Sequence, residues 1–207
     1  MRCLKFQLNR SELGGGDVES KELILSRIRA AAVPPSQHTR EETKVRSVSL
    51  DTFCERVEDY RASIHRIESQ NVESLLATLC SDQKCLIAPG FEFGIPNATT
   101  DFGFSSAELV EFDTTITTCK VGIEESGTIV LDGGPGQGRR AISLIPDHHI
   151  CLIRADQIVS TLEEALDELD PTRPLTFISG PSATSDIELV RVEGVHGPRK
   201  LDVLVIV

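Results

Sequence analysis

Strand-type and helix-type segments alternate along this chain from residue 62 onward, and this alternation limits the available folds more than any other feature. Residues 62–67 alternate polar and apolar side chains with the period of two that is typical of a strand. Residues 71–79 carry apolar side chains at helical spacing, and residues 84–88 and 127–132 are short apolar segments. Strands that alternate with helices predict an α/β fold around a mixed, largely parallel sheet.

The same patterns predict the other elements of the chain. Helices are expected over residues 20–31, 51–60, 114–122 and 162–169. For the first, second and fourth of these helices we expect N-terminal caps at Ser20, Asp51 and Ser160. Strands are expected over residues 140–145, 149–154, 174–179 and 201–207. Because residues 34–49 are polar and have no period, we divide the chain into an N-terminal helical arm and linker (residues 1–50) and one α/β domain (residues 51–207).

The acidic charge of the chain excludes several classes of partner. The chain has 32 acidic and 21 basic residues, a net charge of −11 with neutral histidines. Phosphate backbones and anionic lipids attract cationic surfaces, so we expect neither nucleic acid nor a membrane surface as a partner. No apolar run approaches the roughly 20 residues of a spanning helix, and the N-terminus lacks a signal-peptide pattern. We therefore expect no membrane insertion and a cytoplasmic location.

The cysteines and histidines predict no metal or cofactor bound to this chain. The six cysteines, at positions 3, 54, 80, 85, 119 and 151, form no Cys-x-x-Cys pair. Iron–sulfur clusters and structural zinc sites need sets of thiolates at tight spacing, so we interpret these residues as buried thiols. His148 and His149 are adjacent in the predicted strand region and should point to opposite faces, which makes them a poor metal pair.

A run of small and hydroxyl-bearing residues follows the predicted strand 174–179. Gly180 opens the run, and the hydroxyls of Ser182 and Thr184 can donate hydrogen bonds to a carboxylate or a phosphate. Open α/β sheets bind ligands beyond the carboxyl ends of their strands. The alternative is a turn that caps a short helix at Asp186, with Thr184 or the serine after it as the cap.

A second motif, Gly194–Arg199, places a histidine between two glycines. The glycines leave the ring of His196 accessible, and Arg199 can clamp an anion through two hydrogen bonds. The alternative is a tight turn with a solvated arginine. If the strands that flank residues 180–200 are neighbours, the two motifs converge, and Asp186 either orients His196 or caps a helix.

Two other loops carry shorter patterns. Glu125 precedes Gly127 and Thr128 at the start of a predicted buried strand, where a carboxylate can act as a nucleophile or a base. The alternative is a solvated bend. Residues 133–140 combine glycines with Arg139 and Arg140, a pattern that suits a phosphate cradle, and here the alternative is a flexible hairpin.

Taken together, these segments resemble the LUD (lactate-utilization) domain family, and within it the lactate utilization protein C group. The resemblance covers residues 22–207. It rests on Ile24–Ala31, Glu125–Leu131, the set Arg140, Ser143, Pro146 and His149, Gly180–Glu188, and Gly194–Arg199. The chain departs from the family pattern at Glu124 and Ser126, where the family usually has Ala and Thr, and at Ala183 and Ser185, where Arg and Ala are commoner.

The resemblance implies a fold and a metabolic role. The fold is a single Rossmann-like domain of the sugar-isomerase and CoA-transferase type, preceded by a helical arm. The role is that of an accessory or subunit protein in the oxidation of L-lactate to pyruvate. The partners implied are lactate utilization proteins that hold iron–sulfur clusters, whereas this chain would hold none. An oligomer is compatible with this role.

These observations lead to one set of expected contacts. We expect a small carboxylate or phosphate-like anion to be bound by Gly127, Thr128, Gly180, Ser182, Thr184, Asp186, His196 and Arg199. Glu125 and His196 are the candidate catalytic residues. The alternative function is a stand-alone acyl- or CoA-transferase-like enzyme in which Glu125 attacks the acyl thioester.

Overall fold

The structure is a computed structural model that describes residues 16–31, 47–185, 191–194 and 196–207. The chain divides into two compact units, Met1–Val45 and Arg46–Val207. The first unit contains helix α1 (Gly16–Ala30). Ser20 lies inside α1, because the helix begins at Gly16, and the prediction that Ser20 caps this helix is wrong.

The second unit contains the remaining helices and all the strands of the described residues. The α-helices are α2 (Leu50–Asp59), α3 (Val72–Leu79), α4 (Ser106–Leu109) and α5 (Leu162–Glu168). The strands are β1 (Ser63–Ile67), β2 (Cys85–Ile87), β3 (Thr99–Thr100), β4 (Thr114–Thr118), β5 (Val121–Ile123), β6 (Thr128–Leu131), β7 (His148–Arg154), β8 (Ile158–Val159), β9 (Thr176–Ile178), β10 (Ala183–Ser185), β11 (Arg191–Glu193) and β12 (Lys200–Ile206). Within the described ranges, no helix has the length and apolar character needed to cross a bilayer.

Two sheets and a hairpin organise this unit. The larger sheet has six strands in the order β1-β12-β7-β4-β2-β3, and every pairing in it is parallel. The smaller sheet has the order β8-β5-β6-β9 and is mixed, while β10 and β11 form an antiparallel hairpin. This architecture confirms the predicted α/β fold with a largely parallel sheet.

The central strands of the large sheet are buried on both faces, as is usual for parallel sheets. Successive side chains of β7 point to opposite faces of the sheet. Ile153 packs in one apolar cluster with Phe53 of α2, whereas Leu152 packs in a second cluster with Leu76 of α3. Helices α2 and α3 therefore cover opposite faces.

Two predicted elements have the wrong type. Residues 114–122 do not form a helix: residues 114–118 form the buried strand β4, in which four of the five side chains are threonine. β-Branched residues favour strands, and here they outweigh the apparent helical spacing. Residues 140–145 do not form a strand, because the chain makes a single 3₁₀ turn over Arg140–Ser143. The Ser143 hydroxyl closes this turn by donating to the Arg140 carbonyl over 3.0 Å.

The predicted helix caps and the predicted strand neighbours also need correction. The side chain of Ser49, not Asp51, caps α2 by accepting the N–H of Thr52 over 3.2 Å. Thr161, not Ser160, caps α5. Strands β9 and β12 belong to different sheets, so the condition under which the two C-terminal motifs were expected to converge is not met, and part of the connection between these strands forms the β10–β11 hairpin.

Candidate functional site

A cavity of about 300 Å³ lies beside the beginning of β7 and β12 and the end of β9. Residues 176–183 line it from β9 onward, and residues 196–198 line it from the segment that precedes β12. Arg140 and Ser143 contribute from the 3₁₀ turn, and His149 contributes from β7. Three of the segments that resemble the LUD family therefore meet at one cavity.

Backbone hydrogen bonds hold the two C-terminal motifs side by side. The Ser182 N–H donates to the Pro198 carbonyl over 2.8 Å, and the Gly194 N–H donates to the Ser182 carbonyl over 3.1 Å. Gly180 has a φ of +82°, and a Cβ at this position would lie 2.6 Å from the Tyr60 carbonyl oxygen. Glycine is therefore needed here for the chain to turn against the end of α2 and bring Ser182 to the cavity.

Arg140 is the arginine of the cavity lining. Its guanidinium is exposed and makes no ion pair or hydrogen bond with the residues that the structure describes. The adjacent Arg139 is engaged elsewhere, because its Nε and Nη2 donate to the two carboxylate oxygens of Asp101 over 2.7 and 3.0 Å. No Asp or Glu occurs among the described residues that line the cavity. The lining is thus locally cationic in a strongly acidic chain.

His149 forms part of the cavity wall and is 1% exposed. Its Nε2 lies 2.8 Å from the Thr117 hydroxyl, while its Nδ1 has no hydrogen-bond partner among the described residues. Burial, and secondarily the neighbouring His148, lower the pKa of His149 to about 3. The imidazole is therefore neutral at pH 7, and its free nitrogen can take part in hydrogen bonding without carrying charge.

His148 belongs to a polar cluster on the opposite face of the sheet. Its Nε2 lies 2.5 Å from Oδ2 of Asp202, a residue that is 1% exposed. His65 Nε2 and Lys200 Nζ also lie 2.9 Å from the Asp202 carboxylate. Burial raises the pKa of Asp202, but hydrogen bonds from His148, Lys200 and His65 outweigh burial and hold it below its ordinary value. This arrangement explains a buried carboxylate without invoking a ligand.

Gly127 and Thr128 lie behind the cavity and are not part of its lining. The Thr128 hydroxyl lies 2.8 Å from Ser126 Oγ and 2.7 Å from Ser179 Oγ, and Ser179 lines the cavity. Gly127 has a φ of +59°, and a Cβ there would lie 2.6 Å from the carbonyl carbon of Arg56. Gly127 thus allows close packing against α2, and Thr128 positions Ser179.

Glu125 has a hydrogen-bonding role at the start of α5. Its Oε1 accepts the N–H of Leu162 over 3.0 Å, and its own N–H donates to the Ser160 carbonyl over 3.2 Å. The backbone N–H groups at a helix N-terminus favour a carboxylate at this place. These contacts give Glu125 a role in stabilising the start of α5. They add no support for a role as a nucleophile.

The structure brings together only part of the predicted contact set. Gly180, Ser182 and His196 line the cavity. Arg199 forms an ion pair with Asp147 and does not belong to the lining, so its contact with an anion stays a prediction.

The other two predicted contacts fall in the β10–β11 region. Thr184 pairs through its backbone with Val192, and its side chain is not described. Asp186 and the short helix proposed there lie outside the described residues.

Arg140, Ser143 and His149 line the cavity and are absent from the predicted contact set. All three belong to the set Arg140, Ser143, Pro146 and His149, which is part of the family resemblance. The resemblance could therefore have added them to the predicted contacts. The sequence pattern at His148 and His149 predicted only that they are a poor metal pair. The surroundings of His148 and His149 differ because the two side chains lie on opposite faces of β7, and only the structure shows what lies on each face.

Comparisons with known proteins agree on the family that this chain resembles. The family model described as LUD domain matches residues 98–206. Lactate utilization protein C of Deinococcus radiodurans is 44% identical over 174 residues, which cover 78% of this chain and 81% of that protein. Lactate utilization protein C of Halalkalibacterium halodurans is 38% identical over 94 residues, which cover 42% of this chain and 40% of that protein.

A solved structure agrees with these sequence matches. The crystal structure of a DUF162 family protein from Deinococcus radiodurans is similar to this chain with a TM-score of 0.67 and 35% identity. The similarity covers 78% of this chain and 100% of that one. The family model spans more than half of the chain, and the curated relative matches along most of both sequences. This chain therefore belongs to the LUD domain family.

Proposed function

We propose that this protein acts in lactate utilization as an accessory or subunit protein of an L-lactate-oxidising complex, and that its cavity binds a small carboxylate. The observation that carries the proposal is the exposed Arg140 guanidinium, which lines the cavity and has no anionic partner among the described residues. The curated relatives named lactate utilization protein C support the metabolic setting.

The chemistry of the cavity favours an anion. A guanidinium can hold a carboxylate through two parallel hydrogen bonds, and hydroxyls such as those of Ser179 and Ser182 add further donors. An acidic side chain in the lining would compete for Arg140, and the described lining contains none. In a chain with a net charge of −11, a local cationic surface of this kind supports a specific anion site.

The size of the cavity favours a small ligand. Pockets for drug-sized molecules occupy roughly 300–1,000 Å³, and this cavity of about 300 Å³ lies at the lower limit. A carboxylic acid of a few carbon atoms fits within such a volume. Inorganic phosphate has a similar size and charge, so it serves as the comparison ligand in the test below.

Isothermal titration with L-lactate, pyruvate and inorganic phosphate tests the anion site. We expect at least one carboxylate to bind more tightly than phosphate, and Arg140→Gln to weaken its binding at least tenfold. Arg154→Gln is the matched control, because Arg154 is exposed, pairs with Asp156 at 2.9 Å and does not line this cavity. Absence of binding by every anion, or equal binding by Arg140→Gln and the original protein, would overturn the proposed site.

The proposed complex has a separate test. Electron transfer from lactate needs redox centres, and we propose that iron–sulfur partner proteins supply them, since the described cysteines of this chain are buried free thiols. Affinity capture of the tagged protein from lactate-grown cells should recover iron–sulfur proteins in fixed proportion. Cells grown without lactate provide the control. Recovery of the protein alone from lactate-grown cells would contradict the subunit role.

A further inference from the structure

The parallel sheet carries a second cavity, of about 400 Å³, at the edge opposite to the cavity that Arg140 lines. Its lining includes the last residues of three neighbouring strands, Thr118 of β4, Leu152–Arg154 of β7 and Ile206 of β12. The cavity with Arg140 instead lies where β7 and β12 begin. We call the second one the carboxyl-edge cavity. Open α/β sheets bind their ligands outside the carboxyl ends of the strands, so the fold favours a ligand at this edge.

The path of the chain favours the carboxyl-edge cavity further. Strands β2 and β4 are neighbours in the sheet, and the chain continues from β2 to β3 on one side. Strand β7, the next strand of this sheet after β4, lies on the other side. Connections that leave neighbouring strands in opposite directions open a crevice between them, in which ligands bind. Gly90 and Phe93, which follow β2, line the cavity together with Thr118 and Lys120 at the end of β4.

Backbone contacts of the glycine-rich loop fix the wall of this cavity. The Gly136 N–H donates to the Pro89 carbonyl over 2.8 Å, and the Gly136 carbonyl accepts the Thr118 N–H over 2.7 Å. Gly136 has a φ of +74°, and a Cβ at this position would lie 2.7 Å from Thr118 Oγ1. The N–H groups of residues 134 and 136–138 all donate to protein acceptors. The loop therefore builds the wall, and a bound anion must be held by side chains.

Lys120 is a cation of this cavity without an anionic partner. It is half-buried, and its ammonium makes no ion pair or hydrogen bond within the described part of the chain. Arg154 also lines the cavity and pairs with Asp156 over 2.9 Å, while Glu92 is the acidic residue among the described lining. Two cations beside one acid, in a chain with a net charge of −11, favour an anionic ligand. The compact charge of a lysine ammonium suits a phosphate group.

The remaining lining suits the face of a planar ring. Phe93 is half-buried at the cavity, and its ring forms a tilted pair with Phe91 at 5.8 Å between the centroids. Leu152 and Ile206 add apolar surface from the ends of β7 and β12. Nucleic-acid bases stack on aromatic side chains of this kind. A volume of about 400 Å³ lies near the lower end of the range for ligand pockets, roughly 300–1,000 Å³, and this size favours a mononucleotide over a dinucleotide.

We propose that the carboxyl-edge cavity binds a mononucleotide, whose phosphate pairs with Lys120 and whose base lies against the ring of Phe93. This site is separate from the carboxylate site at Arg140, and it goes beyond the proposed function. The phosphate contact distinguishes a nucleotide from its nucleoside. The ring contact distinguishes a nucleotide from inorganic phosphate.

Isothermal titration with AMP, CMP, adenosine and inorganic phosphate tests the site. We expect at least one of the two nucleotides to bind about tenfold or more tightly than adenosine and phosphate, a difference of about 1.4 kcal/mol or more. Lys120→Gln should weaken binding of that nucleotide about tenfold, and Phe93→Leu should weaken it while leaving binding of inorganic phosphate unchanged. Lys84→Gln is the matched control. Lys84 also lies beside a phenylalanine, with its Nζ 4.8 Å from the ring centre of Phe112, but it does not line this cavity.

Amide NMR of the unmodified protein locates the bound nucleotide. We expect the resonances of Gly90, Phe93 and Lys120 to move, and those of Ser182 and Gly197, which line the cavity with Arg140, to stay in place. Shifts confined to Ser182 and Gly197 would overturn the carboxyl-edge site. It would also be overturned if neither nucleotide binds, or if Lys120→Gln binds the nucleotide as tightly as the unmodified protein. The carboxylate site at Arg140 is unaffected by these outcomes, because the titration with small carboxylates tests it independently.

Discussion

His148 and His149 are adjacent in β7, and their imidazoles lie in two separate polar environments on opposite faces of the parallel sheet. His148 Nε2 contacts the buried carboxylate of Asp202 over 2.5 Å, while His149 lines the cavity. The strand period of two enforces this separation. One histidine therefore belongs to a buried polar cluster around a carboxylate, and the other forms part of the cavity wall.

Asp202→Asn should destabilise the protein at neutral pH. Asp202 is 1% exposed and receives hydrogen bonds from His148, His65 and Lys200, so loss of its charge leaves these donors poorly compensated. We expect the free energy of unfolding to fall by about 2–3 kcal/mol at pH 7. The pKa of Asp202 is depressed in the folded state, so its contribution is present above about pH 4 and is lost as the pH falls further. Urea titrations at pH 7 and pH 3 should show a smaller difference between the two proteins at pH 3.

His149 should make folding sensitive to mild acid. Its pKa is about 3 in the folded protein and near 6.5 in an unfolded chain, so the unfolded state takes up a proton first as the pH falls. The free energy of unfolding is therefore unaffected by His149 above about pH 6.5. Between pH 6.5 and pH 3 it decreases as the pH falls, by up to about 1.4 kcal/mol per pH unit. His149→Phe should show a flatter decrease between pH 6.5 and pH 4.5 in urea titrations. Parallel profiles for the two proteins would contradict this assignment.

Gly127→Ala should destabilise the protein by about 2 kcal/mol or more, because the new methyl group meets the backbone of α2 at a positive φ. Gly103→Ala is a suitable control. Gly103 also has a positive φ, of +103°, but a Cβ there would have no atom within 4 Å. The control isolates the cost of backbone strain, about 1 kcal/mol. Equal losses of melting temperature in the two variants would argue against the packing role of Gly127.

Glu125 should behave as a helix-stabilising residue in a direct test of the transferase alternative. Glu125→Gln keeps an acceptor for the Leu162 N–H and should lower the free energy of unfolding by less than 1 kcal/mol, while Glu125→Ala should lower it by about 1 kcal/mol. Incubation with acetyl-CoA and borohydride should leave the mass of the protein unchanged. A borohydride-dependent mass change that maps to Glu125 would instead support the enzyme.

The sequence patterns predicted the layers of the fold better than its local details. Apolar runs such as residues 127–132 and 149–154 identify buried strands, because burial on both faces leaves a nearly continuous apolar signal. The strand at Thr114–Thr118 was wrongly predicted as a helix, since its threonines are polar by composition and buried by position. The cap of α2 was misplaced by two residues and that of α5 by one residue, because Ser49 and Thr161 compete with equally suitable neighbours.

The candidate site could be predicted from the sequence only in part, because only some of its residues lie in local motifs. Gly180, Ser182 and His196 come from motifs whose residue types suit ligand binding, and they do line the cavity. The free nitrogen of His149 depends on which neighbour occupies Nε2, and that neighbour lies 32 positions away on another strand. No local pattern contains this information.

The position of β12 between β1 and β7 has a consequence for the synthesis of the protein. β1 pairs with β12 in the register Ser63 to Asp202, so β1 has no sheet partner until residues 200–206 emerge from the ribosome. Leu201 also lines the cavity, which cannot close before the same moment. The strand that is made first in this sheet is therefore among the last to be paired, and the nascent chain must carry its backbone without a strand partner until β12 is made.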